Sequence, residues 1–377
     1  MRILTISNYY PPHFIGGYEI ACKETMDFLK EQGHDILVIS SDYQKSNETE
    51  EQIERSMRIT DYNSSSYINK KLDEYHNYNI VKNAIQTFQP DLIYYWSLRG
   101  LGIKILKNTE ETKIPKIFEI GDFWMNGYMK KSSNIKEFIK NSLPFIDKKD
   151  FDFSPSICVS KWIEEEMKIR YKTKKSYVIP NGTDIPLAIN KSNQTIKFIF
   201  VGRVEEEKGI HIAIEALNKF TKKYPNKNFT FDIYGGGDVN YIHKCKKLAK
   251  PLGSKLSFKG QVKERKEIYK NASILLMPTQ MREPFGLVII EAMAYKCAVI
   301  ATNAYGPAEI INHKENGILF NLKEENDLFQ KIEELYFNPT FLKKLQENAY
   351  KNVLDKYSIP KVKNRVENVL KNIAGVA

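Results

Sequence analysis

The chain of 377 residues carries 57 Lys and Arg against 46 Asp and Glu, a net charge of +11, with 42% hydrophobic residues. That length exceeds one ordinary core and indicates two domains, with apolar material enough for both. Cys22, Cys158, Cys245 and Cys297 lie far apart, which excludes a zinc-finger spacing and a disulfide framework, and no uncharged run approaches the roughly 18 residues that cross a bilayer.

The opening Met-Arg-Ile-Leu-Thr-Ile-Ser is too short for a secretory h-region, so a cytoplasmic protein is expected. Its basic balance attracts polyanions in general, but no aromatic RNP pattern or zinc finger accompanies it, so nucleic acid is not expected as a partner. Arg2 to Ser7 reads as a strand, Tyr18 to Gln32 as a helix and Asp35 to Ser40 as a second strand, a βαβ opening that implies a parallel sheet. Gly16 and Gly17 stand just before that helix. They permit close approach of a ligand to its N-terminus, or simply a flexible turn.

Residues 44 to 75 are polar and read as an irregular excursion, followed by a helix from Tyr75 to Pro90 and strands at Asp91 to Trp96 and Lys116 to Ile120. Gly121-Asp122-Phe123-Trp124 then places Asp122 at the carboxyl end of a parallel strand, where open α/β sheets bind ligands; a helix N-cap or loop carboxylate is the other reading. Between residues 130 and 150, Ile135, Phe138, Ile139, Leu143 and Ile146 recur at helical spacing among Lys136, Lys140, Lys148 and Lys149. Such a stripe packs into a core or lies on anionic lipid. Asp150-Phe151-Asp152 has the outline of a paired-Asp metal motif but no supporting ligands, and no metal site is expected. A strand at Ile157 to Ser160, a helix at Lys161 to Tyr171 and a strand at Ser176 to Ile179 end in Pro180-Asn181-Gly182, and Thr183 to Thr195 has linker composition.

A second βα series follows, with strands at Ile196 to Val201, Thr230 to Tyr234, Leu256 to Lys259, Ile274 to Met277, Ala298 to Ala301 and Gly317 to Phe320. After the first of these, Gly202-Arg203 and Lys208-Gly209 flank a strand-to-helix loop. Arg203 by its fork and Lys208 as a point charge can clamp a diphosphate, or they pair with Glu205 to Glu207. The stretch Met277 to Ala294 reads as strand, loop and helix, with Glu283 at the loop mouth and Glu291 inside the helix. The amides of Phe285, Gly286 and Leu287 at the helix start can receive an anion. Read blandly, Glu283 is a helix-end charge and Glu291 a solvated one. A tail helix with Val362, Val366, Val369, Leu370 and Ile373 on one face needs a partner to bury it.

With Gly16-Gly17, Gly202-Arg203, Lys208-Gly209 and Glu283-Pro284-Phe285-Gly286-Leu287 through Glu291-Ala292-Met293-Ala294 in order, the chain resembles the retaining glycosyltransferases of family 4. The resemblance implies a GT-B fold: two Rossmann-like, doubly wound α/β domains facing each other across a cleft. Residues 1–182 would form the acceptor-side domain and 183–357 the nucleotide-sugar domain, with the helix at 358–377 packing back on the first. It implies transfer from a nucleotide-sugar, with UDP the carrier, without cofactor or metal. The acceptor stays open among cell-surface polysaccharide, lipid-linked and natural-product types, with peripheral contact to an anionic membrane among the expected partners. Carried over, Arg203 and Lys208 would hold the diphosphate and Glu283 the donor sugar, and Glu291 would accept from the ribose. Gly202 and the amides of Phe285, Gly286 and Leu287 would line the donor, and Gly16 and Gly17 would approach it from the other domain. Relatives commonly have His-Asp where this chain has Gly121-Asp122. Asp122 then takes part of the histidine's role, and the donor lacks, or presents differently, the hydroxyl that histidine would reach. A nucleotide-sugar-binding regulator without catalysis is the alternative on the same fold.

Overall fold

The computed structural model describes residues 1–43, 52–60, 66–126, 152–189, 195–262 and 264–376. Met1–Ile179 together with Lys363–Ala377 makes one compact unit, and Pro180–Val362 makes the other. In unit 1, β1 (Arg2–Ile6), α1 (Gly17–Glu31), β2 (Asp35–Ser41), β3 (Ile53–Met57), α2 (Tyr67–Phe88), β4 (Leu92–Tyr95), α3 (Lys107–Thr112), β5 (Lys116–Ile120), β6 (Ser156–Cys158), α4 (Lys161–Tyr171) and β7 (Ser176–Val178) follow one another. The strands form a sheet in the order β3-β2-β1-β4-β5-β6-β7, every pair parallel. Helical crossovers cover both faces, so β4 is buried at every position and reads as an unbroken apolar run.

Unit 2 repeats the design with β8 (Ile196–Val201), α5 (Ile210–Lys223), β9 (Phe229–Tyr234), α6 (Val239–Leu248), β10 (Leu256–Gly260), α7 (Arg265–Tyr269), β11 (Ile274–Met277), α8 (Leu287–Ala294), β12 (Ala298–Thr302), α9 (Tyr305–Ile310), β13 (Ile318–Phe320), α10 (Asp327–Phe337) and α11 (Pro339–Lys356). Its six strands run β10-β9-β8-β11-β12-β13, all parallel. This is the doubly wound Rossmann order, reversing direction between β8 and β11. Phe198, Phe231, Ile214, Leu217, Phe220, Ile332 and Leu335 are wholly buried on one face of that sheet. Each such side chain contributes about 1.5–3 kcal/mol.

The last helix, α12 (Ile359–Ala374), buries Val362, Val366, Val369 and Leu370. Within unit 1 its Lys363 donates to the Ala21 carbonyl at 3.4 Å and to Thr25 Oγ1, and its Arg365 donates to the Val178 carbonyl at 2.8 Å. Lys363 and Glu119 are both buried there. Burial lowers the pKa of the Lys363 amine and raises that of Glu119 to about 7, while the Tyr94 hydroxyl donates to the Glu119 carboxylate.

Two expectations need correction. The 44–75 segment holds an edge strand, β3, which sequence polarity hides because only Met57 of its five residues is buried. Its Arg55 donates to the carbonyls of Tyr10 and Pro11. The helix expected from Tyr75 begins at Tyr67, capped by Ser66, whose side chain accepts from the Asn69 amide at 3.3 Å. Ile68 and Leu72 stand at helical spacing in its first turns but are exposed there, within a stretch otherwise polar. Residues 130–150 and the Asp150-Phe151 part of the paired-Asp motif lie outside the described residues. Among the described residues no helix is long and apolar enough to cross a membrane.

Candidate active site

In unit 2, β8 and β11 lie side by side where the strand order reverses, so their following helices depart toward opposite edges and open a crevice at the strands' carboxyl ends. The loop after β8 carries Gly202 to Gly209, and the loop after β11 carries Pro278 to Gly286. Backbone contacts join these loops: the Gln280 amide donates to the Glu207 carbonyl at 2.8 Å, and the Gln280 side chain donates to the Glu206 carbonyl at 2.9 Å. Gly209 makes the contact feasible. Its φ is +72°, and a Cβ there would sit 1.9 Å from the Pro278 carbonyl oxygen.

Two residues far apart in sequence meet as a result. Lys208 Nζ donates to Glu283 Oε2 at 2.6 Å, with the side chains 18% and 15% exposed. The half-buried pair holds a cation and a carboxylate at the crevice in fixed relation. Arg203 behaves differently: its guanidinium pairs with Glu205 at 2.6 Å and stays 57% exposed, so the local ion-pair reading of this residue is realised while Lys208 turns away from Glu205 to Glu207.

The helix of this stretch starts at Leu287, with Gly286 as its cap at φ +106°. Among the described residues the amides of Phe285, Gly286 and Leu287 make no backbone hydrogen bond, and they lie at the positive end of α8. Glu283 is tied in from the other side, its carbonyl accepting from the Gly306 amide at 3.1 Å. Glu291 is not a solvated carboxylate. It is 7% exposed, its Oε1 lies 3.0 Å from Arg265 Nε, and its Oε2 accepts from the Tyr269 hydroxyl at 2.7 Å.

The remaining predicted residues belong to unit 1. Gly16 caps α1, and its amide donates to Glu19 Oε2 at 2.9 Å, so this donor is already engaged; Gly17 is the first helical residue. Asp122 follows β5 and accepts from the Trp124 amide at 2.8 Å and from Arg99 at 2.9 Å, the loop-carboxylate arrangement. Beside it, the Tyr18 ring occupies the space a side chain at Gly121 would need, and its hydroxyl donates to the Glu119 carbonyl at 2.6 Å. Sequence reading missed Arg265, Tyr269, Arg99 and Tyr18. Only the i,i+4 spacing of Arg265 and Tyr269, which puts both on one helix face, offered a signal.

Comparison with known proteins matches residues 183–352 to the family described as glycosyl transferases group 1, and residues 15–186 to that described as glycosyltransferase family 4. Between them the two family descriptions span both units. The chain belongs to glycosyltransferase family 4. It is 28% identical to an uncharacterized glycosyltransferase of Methanocaldococcus jannaschii over 99% of each chain. It is 32% identical to a probable sucrose-phosphate synthase of Thermosipho melanesiensis over 49% of this chain and 44% of that one. Among solved structures, a glycosyltransferase from Rickettsia africae superposes with a TM-score of 0.77 at 21% identity, covering 99% of this chain and 98% of that chain. The Anabaena protein Alr3699/HepE in complex with UDP and glucose superposes at 0.75 and 18% identity, covering 99% and 100%. These likenesses establish the GT-B type of fold, with two Rossmann-like domains. The crevice residues described above lie within the stretch matched to the glycosyl transferases group 1 family.

Proposed function

We propose that this glycosyltransferase moves a sugar from a nucleoside diphosphate, UDP by preference, to a hydroxyl acceptor with retention at the anomeric carbon and without a required metal. The observation that carries the proposal is the meeting of Lys208, Glu283 and the open α8 amides at the switch point of unit 2. A diphosphate seated on those amides gains their dipole and the charge of Lys208, and Arg203, on an exposed side chain, swings from Glu205 to the same phosphates. As the bond from the anomeric carbon to the phosphate oxygen breaks, these cations stabilise the charge left on the diphosphate. The acceptor oxygen bonds to the same face of that carbon, and its proton passes to a departing phosphate oxygen. Glu283, held by Lys208, orients the donor sugar, and Glu291 takes the ribose hydroxyls. Gly16, Gly17 and Asp122 are proposed as the substrate-binding residues of unit 1. The proposed setting is the cytoplasm, with the basic 130–150 stretch as the contact to an anionic membrane and a lipid-linked or polysaccharide acceptor.

The test is calorimetric binding of UDP, GDP, ADP, dTDP and CMP in the presence of EDTA, with Arg203→Ala and Glu291→Ala beside the wild type. Micromolar binding of one diphosphate, weakened in both variants, supports the donor site. Binding without any sugar transfer from the matching nucleotide-sugars would favour the non-catalytic regulator.

A further inference from the structure

We infer that Arg265 and Tyr269 are positioning residues that set the Glu291 carboxylate for a nucleotide's ribose; this rests on the donor-site reading above. Glu291 is the one charged residue in α8, whose sequence is LVIIEAMA, and it is 7% exposed. A carboxylate so placed is costly unless it is paired and hydrogen-bonded.

Two of its partners come from α7. Arg265 Nε lies 3.0 Å from one carboxylate oxygen, and the Tyr269 hydroxyl, itself wholly buried, donates to the other at 2.7 Å. A donor on each oxygen fixes the plane of the carboxylate. A carboxylate offers about four lone-pair sites, and an adjacent pair of ribose hydroxyls needs two acceptors in a defined plane. The supports are themselves braced. Tyr269 stacks on Tyr295 with ring centroids 5.6 Å apart, and Arg265 Nη1 reaches Asp184 Oδ2 at 3.4 Å. Asp184 is 75% exposed, so that second contact is solvent-screened and weak. The arrangement matches the way buried ligand-binding groups elsewhere depend on outer partners for orientation.

The test titrates the ribo- and 2′-deoxy-forms of UDP, GDP and ADP into the full chain by calorimetry, with wild type, Glu291→Gln, Arg265→Met, Arg265→Lys, Tyr269→Phe and the Arg265→Met/Glu291→Gln double variant. The wild type should favour the ribo-form of its nucleotide at least tenfold. Arg265→Met should lose most of that preference, Arg265→Lys should keep part of it, and Tyr269→Phe should lower it severalfold. The double variant should bind within twofold of Glu291→Gln alone. A merely structural role would weaken ribo- and deoxy-forms equally, so unchanged preference in Arg265→Met and Tyr269→Phe overturns the inference while leaving Glu291 in place. Unchanged preference in Glu291→Gln, or no binding of any nucleotide by the wild type, overturns the donor-site reading and this inference with it. If Arg265→Met fails to fold, Arg265→Lys and Tyr269→Phe decide by the same criterion.

Discussion

Replacing Gly121 by His supplies the residue that the family resemblance leads one to expect there, and the structure predicts that it damages the protein. A Cβ at Gly121 would lie 2.2 Å and 2.3 Å from two ring carbons of Tyr18, well inside the 3.4 Å at which ordinary contact begins. The ring has little freedom to yield, since its hydroxyl is bonded to the Glu119 carbonyl at 2.6 Å and its edge packs on Trp96 with centroids 5.2 Å apart. Overpacking of this kind costs about 1–3 kcal/mol, and losing the tyrosine's hydrogen bond adds about 1 kcal/mol. The sum, roughly 2–4 kcal/mol, should lower the unfolding midpoint of unit 1 by about 5–15 °C. Thermal unfolding followed by circular dichroism measures it. In a Tyr18→Ala background the imidazole gains the room the phenol vacates, so the double variant should be more stable than the two single losses combined would give, by at least about 1 kcal/mol. A Gly121→His protein that melts with the wild type, or a double variant that is strictly additive, would refute the steric argument. Whether a histidine at this position changes donor preference is therefore a question for the Tyr18→Ala background, where rate and stability can be separated.

Further outcomes follow from the same geometry. Lys208→Met leaves the Glu283 carboxylate unpartnered by its cation and removes a phosphate charge. Donor turnover, read as release of nucleoside diphosphate, should fall by about 10²–10³-fold, and a loss under threefold would contradict the assigned role. Gly209→Ala forces a Cβ toward the Pro278 carbonyl at 1.9 Å with φ at +72°. Unit 2 should lose several kcal/mol in urea unfolding, and nucleotide binding should fall with it. Glu119 has a folded pKa of about 7 against an ordinary 4.5, because burial disfavours its charge. The folded state thus holds the extra proton between those values, so stability is full below about pH 4.5 and falls as pH rises through 7, by up to about 3 kcal/mol. Glu119→Gln should flatten that fall; an identical slope in both proteins would remove Glu119 as its source. Replacing Lys136, Lys140, Lys148 and Lys149 by Gln should lower co-sedimentation with anionic liposomes, and unchanged binding would end the membrane proposal.

Much of this molecule is written locally. Apolar runs such as Ile274 to Met277, glycines at strand ends and helix starts, and the alternation of strand with helix determine two doubly wound units, because burial on both sheet faces and backbone sterics act within a few residues. The segment from Glu283 to Glu291 was likewise legible as a loop opening a helix, with a carboxylate on either side of its start. Other features had no local signature. β3 is an edge strand whose first four residues, mostly polar, are only partly buried, so its pairing with β2 leaves no apolar pattern behind. Lys208 meets Glu283 across 75 residues, Tyr18 reaches the Glu119 carbonyl across 101, and Tyr269 meets Glu291 across 22. Each of these contacts depends on which strands lie next to one another and on the angle at which their helices leave the sheet. Whether Arg203 and Lys208 pair with their neighbouring glutamates or turn elsewhere was open in the sequence for the same reason: both choices satisfy the charges, and only the packing of the β11 loop against the β8 loop puts Glu283 within reach of one lysine and leaves the arginine to Glu205.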